Sequence, residues 1–286
     1  MCDKLLDGRE VRWVDILDDL DFLNDEDSAS LRDFFADCHK TFLNRVNMTE
    51  EEYAKQCAPY LEEVATFVDR IKVEKGRKRE LDALLIANAV RQEKSKGGET
   101  LHRGYYCPSL IQDIVVGNCK RGSLCKENNP KAIYTHYFDC DNNHIATTKR
   151  EGKFVSTEYI VYDDNKSVGV MFDGSNQLET IAQCEYDEIG RILEYILVLC
   201  DTTKEDVVEY YKELYTYSEN NIMVETSNLL CTISPPILTI DKYVFQMEEG
   251  FLKSYTIEVS DGVDINAQPV EKMTYDVKIK RKIAEG

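Results

Sequence analysis

No stretch of this chain runs for the roughly 18 apolar residues that a membrane-crossing helix requires. The opening Met1-Cys2-Asp3-Lys4-Leu5-Leu6-Asp7 carries no apolar signal core. These two absences set the expectation of a cytoplasmic protein with no membrane partner. There is no Cys-x-x-Cys pair, so the ten cysteines show no zinc-ribbon spacing. A disulfide framework suits small secreted chains, and free thiols are expected here, with Cys57, Cys184 and Cys200 acting as small apolar residues. The Gly-x-Ser-x-Gly elbow, the Gly-x-x-x-x-Gly-Lys-Ser/Thr phosphate loop and the His-Glu-x-x-His helix are all missing, and no cofactor is implied. Basic residues are in short supply: 35 Lys and Arg face 53 Asp and Glu, a formal charge of −18. A nucleic-acid partner is therefore not expected, because phosphate binding needs an excess of Lys and Arg.

What is present suffices for a packed core. Of the 286 residues, 43% are apolar, enough for two ordinary domains or one large one. Trp13, Ile16, Leu17, Leu20 and Leu23 fall on one helical stripe over residues 9–23, with Asp15, Asp18, Asp19 and Asp21 on the outer face. A second helix can be capped by Ser28 or Ser30, with Leu31, Phe34, Phe35, Cys38 and Phe42 as its stripe. Thr49 and Glu52 form the pattern of a capping box before a third. Its stripe is Tyr53, Cys57, Tyr60, Leu61, Val64, Phe67, Val68 and Ile71, and Pro59 predicts a kink or break within it. A fourth helix is predicted from about Arg79 to Glu93, with Leu81, Leu84, Leu85 and Asn88 on one side and Gly97-Gly98 as its stop.

The strongest strand signal is Cys184 to Leu199, two arms around a turn at Asp187 to Gly190. In the outgoing arm Ile192, Glu194, Ile196 and Val198 alternate with Leu193, Tyr195, Leu197 and Leu199. Both faces are largely apolar, which predicts a central strand covered on both sides. Tyr186-Asp187-x-x-Gly190-Arg191-Ile192 resembles the YD repeat of Rhs-type proteins. Weaker copies of an aromatic arm, polar turn and apolar arm begin near residues 139, 163, 217 and 247. The resemblance covers residues 133 to about 260 and implies a long antiparallel meander of hairpins. Val207 to Tyr217 fits a helical period as well, but its tyrosine and valine content favours strand. Pro235-Pro236 suggests an edge or a crossing between layers, and Lys278-Ile279-Lys280-Arg281-Lys282 a lysine-protected edge after a strand at Met273 to Ile279.

For chemistry, His102, Cys107, Cys119, Cys125, His136, Cys140 and His144 crowd into 43 residues. Cys107, Cys119, Cys125 and His136 are weak zinc candidates, and a metal is not expected. Along one strand, residues four apart such as His136, Cys140 and His144 would stand about 13 Å from their neighbours. The combined expectation is an α+β fold: a helical region over 1–117 and an antiparallel β-sheet domain over 131–286, built from degenerate hairpin repeats. Two functions fit. One is an acidic intracellular interaction protein that binds a basic partner through Asp15, Asp18, Asp19 and Asp21, as immunity proteins do with toxins of Rhs-type systems. The other is an enzyme with a site where helices meet the sheet, drawing on His102, Cys107, His136 or Asp139.

Overall fold

The computed structural model describes residues 40, 43, 48–97, 102–116, 122–232, 235–249, 251–259 and 271–276. The acidic helix over 9–23 and Lys278 to Lys282 lie outside these residues, as does the second helix apart from Lys40 and Leu43, both helical. The fold is α+β. Helix α1 (Glu50–Glu74) begins where Thr49 Oγ1 accepts the Glu52 amide at 3.2 Å and Glu52 Oε2 accepts the Thr49 amide at 2.8 Å. This reciprocal box satisfies two donors that a bare helix start would leave open. The helix runs unbroken through Pro59. Tyr53, Cys57, Val64, Phe67 and Ile71 are buried as the period predicts, whereas Leu61 turns toward solvent at 41% exposure.

Helix α2 (Lys78–Asn88) is shorter than its sequence suggests. Ala89 is already extended, the Val90 amide donates to the Phe138 carbonyl at 2.9 Å, and residues Arg91–Lys96 form strand β1. Arg-Gln-Glu-Lys-Ser-Lys is a helix-favouring stretch, but a strand partner on each side outweighs that local preference. Gly97 therefore follows the end of a strand and not of a helix, and Gly98 lies outside the described residues. A strand also lies inside the stretch read as helical. On α2 only Leu81 is fully buried, and Leu84 is exposed.

The described strands form one antiparallel sheet of 13 strands. Its members after β1 are β2 (Ser123–Cys125), β3 (Tyr134–Phe138), β4 (His144–Glu151), β5 (Phe154–Asp163), β6 (Lys166–Phe172), β7 (Leu178–Tyr186) and β8 (Ile192–Asp201). Then come β9 (Asp206–Tyr217), β10 (Asn221–Leu230), β11 (Ile237–Glu248), β12 (Phe251–Val259) and β13 (Glu271–Asp276). From β3 onward each strand pairs with the next, and β1 is inserted between β3 and β2. Val207 to Tyr217 is strand, as its composition indicated. Pro235-Pro236 falls in the connection between β10 and β11, which pair directly, so it marks neither an edge nor a crossing. The segment around it is pinned to α1, since Tyr53 Oη donates to the Pro236 carbonyl at 3.0 Å and accepts the Leu238 amide at 2.8 Å.

Three hairpins close with the same chemistry. Asp139, Asp173 and Asp187 each accept, through Oδ1, the amides two and four residues on. The fourth residue of each turn has a left-handed backbone: Asn142 at φ 67°, Asn176 at φ 64° and Gly190 at φ 81°. Each is followed or preceded by a register shift in the ladder, at Tyr137/Phe138, Met171/Phe172 and Glu185/Tyr186. A turn that ends in a left-handed residue and a bulge matches the twist of the strands it joins. The copy at Asp173 was not among the turns read from the sequence.

Both faces of the sheet are covered. On one, α1 packs over the middle strands: Tyr210 is fully buried between Tyr60 and Phe67, and Lys212 Nζ lies 3.0 Å from Glu63 Oε1 and 2.9 Å from Glu194 Oε2. On the other, Leu110, Ile111 and Ile114 cover Ala182, Cys184, Tyr195 and Tyr215. Strand β8 is thus central and buried on both sides, as its sequence predicted. The turn geometry gives a direct test. Asn176→Gly should leave stability within a few tenths of a kcal/mol, whereas Asn176→Val should cost roughly 1–2 kcal/mol, because a β-branched residue resists the left-handed region. Urea unfolding midpoints measure both, and equal midpoints would remove the role given to this turn.

Candidate functional site

The second face is covered by residues 102–116, and its polar contacts build the only site-like cluster among the described residues that we identify. Arg103 and Gly104 are consecutive left-handed residues, at φ 58° and 56°. A Cβ on Gly104 would meet the Tyr134 ring at 2.8 Å, so this position needs glycine twice over. The turn drives the Arg103 side chain down onto the sheet, where Nε donates to Glu158 Oε1 at 2.8 Å, both side chains being only 3% exposed. His102 Nε2 lies 3.0 Å from the same oxygen, and its Nδ1 is 3.1 Å from Tyr195 Oη.

Burial pushes the Glu158 carboxyl up, but Arg103 and His102 together outweigh it and hold the group down at about 2. The space for this pair is provided by Gly169 on the neighbouring strand. A Cβ there would sit 1.9 Å from Glu158 Oε1 and 2.6 Å from Arg103 Nη2. A lone glycine inside Val168-Gly169-Val170 is the sequence signal for such a close approach. Arg103 and Glu158 were not singled out from the sequence, although a single acid within Phe154 to Tyr162 facing the covered side of a strand is an anomaly of the same kind.

The histidines expected as chemical candidates lie close together. The turn at Asp139 folds β3 back onto β4, so the His136 and His144 rings are 5.4 Å apart, far nearer than a single straight strand would place them. His136 bridges Ser95 Oγ at 2.9 Å and Thr147 Oγ1 at 3.1 Å, and His144 Nε2 reaches the same threonine at 2.7 Å. Burial pushes His136 down to about 4. Burial, with Arg103 and His136 nearby, pushes His144 down to about 3. Both rings are therefore neutral hydrogen-bonding members of the core at neutral pH.

The remaining candidates are dispersed. Cys107 is buried with its thiol directed at the Ser109 carbonyl, 3.6 Å away. Cys125 sits on β2, Cys140 is exposed in a turn, and Asp139 spends its carboxylate on turn amides. Cys119 lies outside the described residues, as do Asp15, Asp18, Asp19 and Asp21. Among the described residues no group of three or more His, Cys, Asp or Glu is arranged to hold a metal ion. The cysteines at 57, 107, 125, 140, 184, 200 and 231 are free, and burial raises the thiols of Cys57, Cys184, Cys200 and Cys231.

A second buried carboxylate fastens the covering segment. Glu213 is fully buried on β9 and accepts hydroxyls from Ser109, Tyr211 and Tyr215, with Tyr211 Oη at 2.7 Å. Tyr215 Oη in turn accepts the Leu110 amide at 3.0 Å. Between residues 102–112 and the outer ends of β4 to β8 lies a cavity of about 520 Å³. His102, Arg103 and Gln112 form one wall, and Glu158, Thr180 and Leu197 line the sheet side. Its volume falls within the roughly 300–1,000 Å³ of small-ligand sites. No helix among the described residues is long and apolar enough to cross a membrane. Comparison of the chain with protein families, with curated proteins and with solved structures returns no match.

Glu213 makes stability depend on pH. Burial raises its carboxyl from 4.5 to about 7, against the opposing pull of the three hydroxyls. The folded state thus holds the proton more tightly than the unfolded chain. Its contribution is complete below about pH 4.5 and is lost as pH rises through about 7. Glu213→Gln removes this titration. The variant should gain on wild type by on the order of 2 kcal/mol between about pH 5 and pH 8. Urea midpoints of both proteins at the two pH values test this, and an offset independent of pH would assign the proton elsewhere.

Proposed function

We propose that this chain works by binding, as the acidic member of a pair whose other member is a basic protein. The observation that carries the reading is the formal charge of −18, with seven carboxylates gathered at Asp15, Asp18, Asp19, Asp21, Asp25, Glu26 and Asp27. A field of that sign speeds the approach of a positive partner and disfavours nucleic acid. The role is the one that immunity proteins play toward toxins of Rhs-type systems, and the YD-like chemistry of the turns is what suggests that class. A cytoplasmic location goes with it.

The state of the reactive side chains supports binding over catalysis. His136 and His144 are neutral and hydrogen-bonded within the core, and the thiol of Cys184 is raised by burial. General-base or nucleophilic chemistry near neutral pH needs groups poised close to that pH and within reach of a substrate. The alternative reading, an enzyme working where helical segments meet the sheet, has one observation in its favour, the polar cavity bordered by His102.

The test is kinetic. Partners recovered from a cell lysate are identified, and the association rate of the purified pair is measured against ionic strength. As the Debye length falls from about 10 Å at 0.1 M to about 3 Å at 1 M, the rate should fall steeply. Replacing Asp18, Asp19 and Asp21 with Asn should lower it further at low salt, by roughly tenfold, while leaving the unfolding midpoint unchanged. A tight partner whose association ignores both changes would sink the electrostatic reading.

A further inference from the structure

His136 and His144 belong to one chain of hydrogen bonds that runs through three strands. Ser95 Oγ on β1 meets His136 Nε2 at 2.9 Å, His136 Nδ1 meets Thr147 Oγ1 at 3.1 Å, and Thr147 Oγ1 meets His144 Nε2 at 2.7 Å. The remaining nitrogen of His144, Nδ1, hydrogen-bonds the Ala146 backbone in the sense that favours a proton there. Each hydroxyl carries one hydrogen and so does each neutral ring, so this end sets the direction of the whole chain. Thr147 donates to His144 and accepts from His136, which leaves Ser95 to donate to His136. Every hydrogen has an acceptor and none is spare.

A further proton has no such place. On His144 Nε2 it confronts Thr147 with two donors and strands the threonine hydrogen, and on His136 Nε2 it does the same to Ser95. Ser95, His136 and Thr147 are buried, so a stranded donor meets no water. His144 is partly exposed, which gives the proton a way in. The charges that face the pair are already committed. Arg103 repels a charge on His144 and Glu158 attracts it, but Glu158 is held by Arg103 and by the titratable His102. Glu93 faces His136 from β1, accepts from Tyr106 Oη and pairs with Arg91. Tyr106 and Tyr134, which touch the rings, are phenols and stay uncharged in acid.

The lid over this chain is the turn at Gly104–Tyr106. The Tyr106 ring lies 4.8 Å from that of His136 and 5.0 Å from that of His144. Two backbone bonds hold the turn itself, Tyr106 to the Arg103 carbonyl and Cys107 to the Gly104 carbonyl, both at 3.1 Å. Lifting it lets water reach both rings, and because Tyr134 and Thr147 also line the cavity, the seating of the turn decides how closed that space is.

We propose that Ser95, His136, Thr147 and His144 form an acid-sensitive latch: the Gly104–Tyr106 turn stays seated while both rings are neutral and lifts when either takes up a proton. Burial holds His136 at about 4 in the seated state, against about 6.5 for an exposed imidazole. The latch therefore has its full strength above about pH 6.5 and loses it as pH falls toward about 4. Glu213, which fastens residues 109 and 110, works in the opposite direction and weakens as pH rises. The latch does not rest on the binding role proposed above.

The experiment is amide hydrogen exchange on the full chain, corrected at each pH for the intrinsic exchange rate. Tyr106 and Cys107, whose amides close the turn, should lose protection by about thirtyfold between about pH 7.5 and about pH 5, the ratio that His136 alone supplies. Their exchange should ignore about 0.5 M urea, as local opening does, whereas the amides of β8 should respond to it. His136→Gln combined with His144→Gln should abolish the pH dependence, and His102→Gln should leave it in place. Because the double variant disturbs a buried network, carbon-13 titration of the wild-type rings gives a second reading. His136 and His144 should titrate below about pH 6, in step with the loss of protection at Tyr106. Four results overturn the proposal: protection of the turn that is the same at both pH values, exchange there that follows β8 in urea, a pH dependence that His102→Gln removes and the double variant keeps, or rings that take up protons while the turn stays protected.

Discussion

A single antiparallel sheet has two faces, and any strand near its middle must hide both of them from water. That constraint governs this molecule, because among the described residues there is no second sheet for the meander to pack against. Tyr195, Ile196 and Val198 on β8 are almost wholly buried, with Tyr195 facing one way and the other two the opposite way. Apolar burial of this kind is worth about 1.5–3 kcal/mol per large side chain, but only where something covers each face. The helices supply one cover and residues 102–116 the other.

The two covers are held by different physics. Helix α1 offers an apolar stripe of helical period, so its contact with Phe172, Ile181 and Val198 is mainly hydrophobic, with Tyr53 and Lys212 fixing its position. The segment over the second face has only a 3-10 turn at Gly104–Tyr106 and a short π-helical stretch at Ile111–Val116. Such irregular backbone cannot satisfy itself, so it is fastened through polar groups: Arg103 to Glu158, His102 to Tyr195, Ser109 to Glu213 and the Leu110 amide to Tyr215. Buried charges of this sort add little net stability over apolar substitutes but penalise any arrangement that leaves one unpaired. They therefore fix where the segment lies more than how firmly. Of the residues that the sequence offers for chemistry, His102 is used for this purpose.

This division explains what could be read in the chain before its fold was known. The period of α1, its capping box, the two-sided burial of β8 and the hairpin turns at 139, 163, 187, 217 and 247 depend on residues close in sequence, and local rules suffice for them. The end of α2 was misread because Arg91 to Lys96 is helical by local preference, and the partners that make it a strand, Tyr134 to Phe138 and Ser123 to Cys125, lie about 30 to 50 residues away. The Arg103–Glu158 pair was missed for the same reason, since 55 residues separate its members. Gly169 and the lone acid Glu158 in its strand were the local traces of it. The closeness of His136 and His144 was hidden by treating as one straight strand a stretch whose own turn, at Asp139, had been recognised.

The position of the cavity follows from the same constraint. Around the cavity the strands run for 7 to 10 residues, a second face longer than a short irregular segment can roof, so some of that face stays open beyond the segment's edge. The opening falls beside the hairpin at Asp173, where the turn requires a carboxylate to bind its amides and the bulge places Glu179 next to it. Negative charge thus collects at the mouth for reasons of turn chemistry. Beneath it the sheet is polar where Arg103 lands on Glu158. A cover held by charge and a turn held by a carboxylate meet at one place, and the cavity is the space left between them.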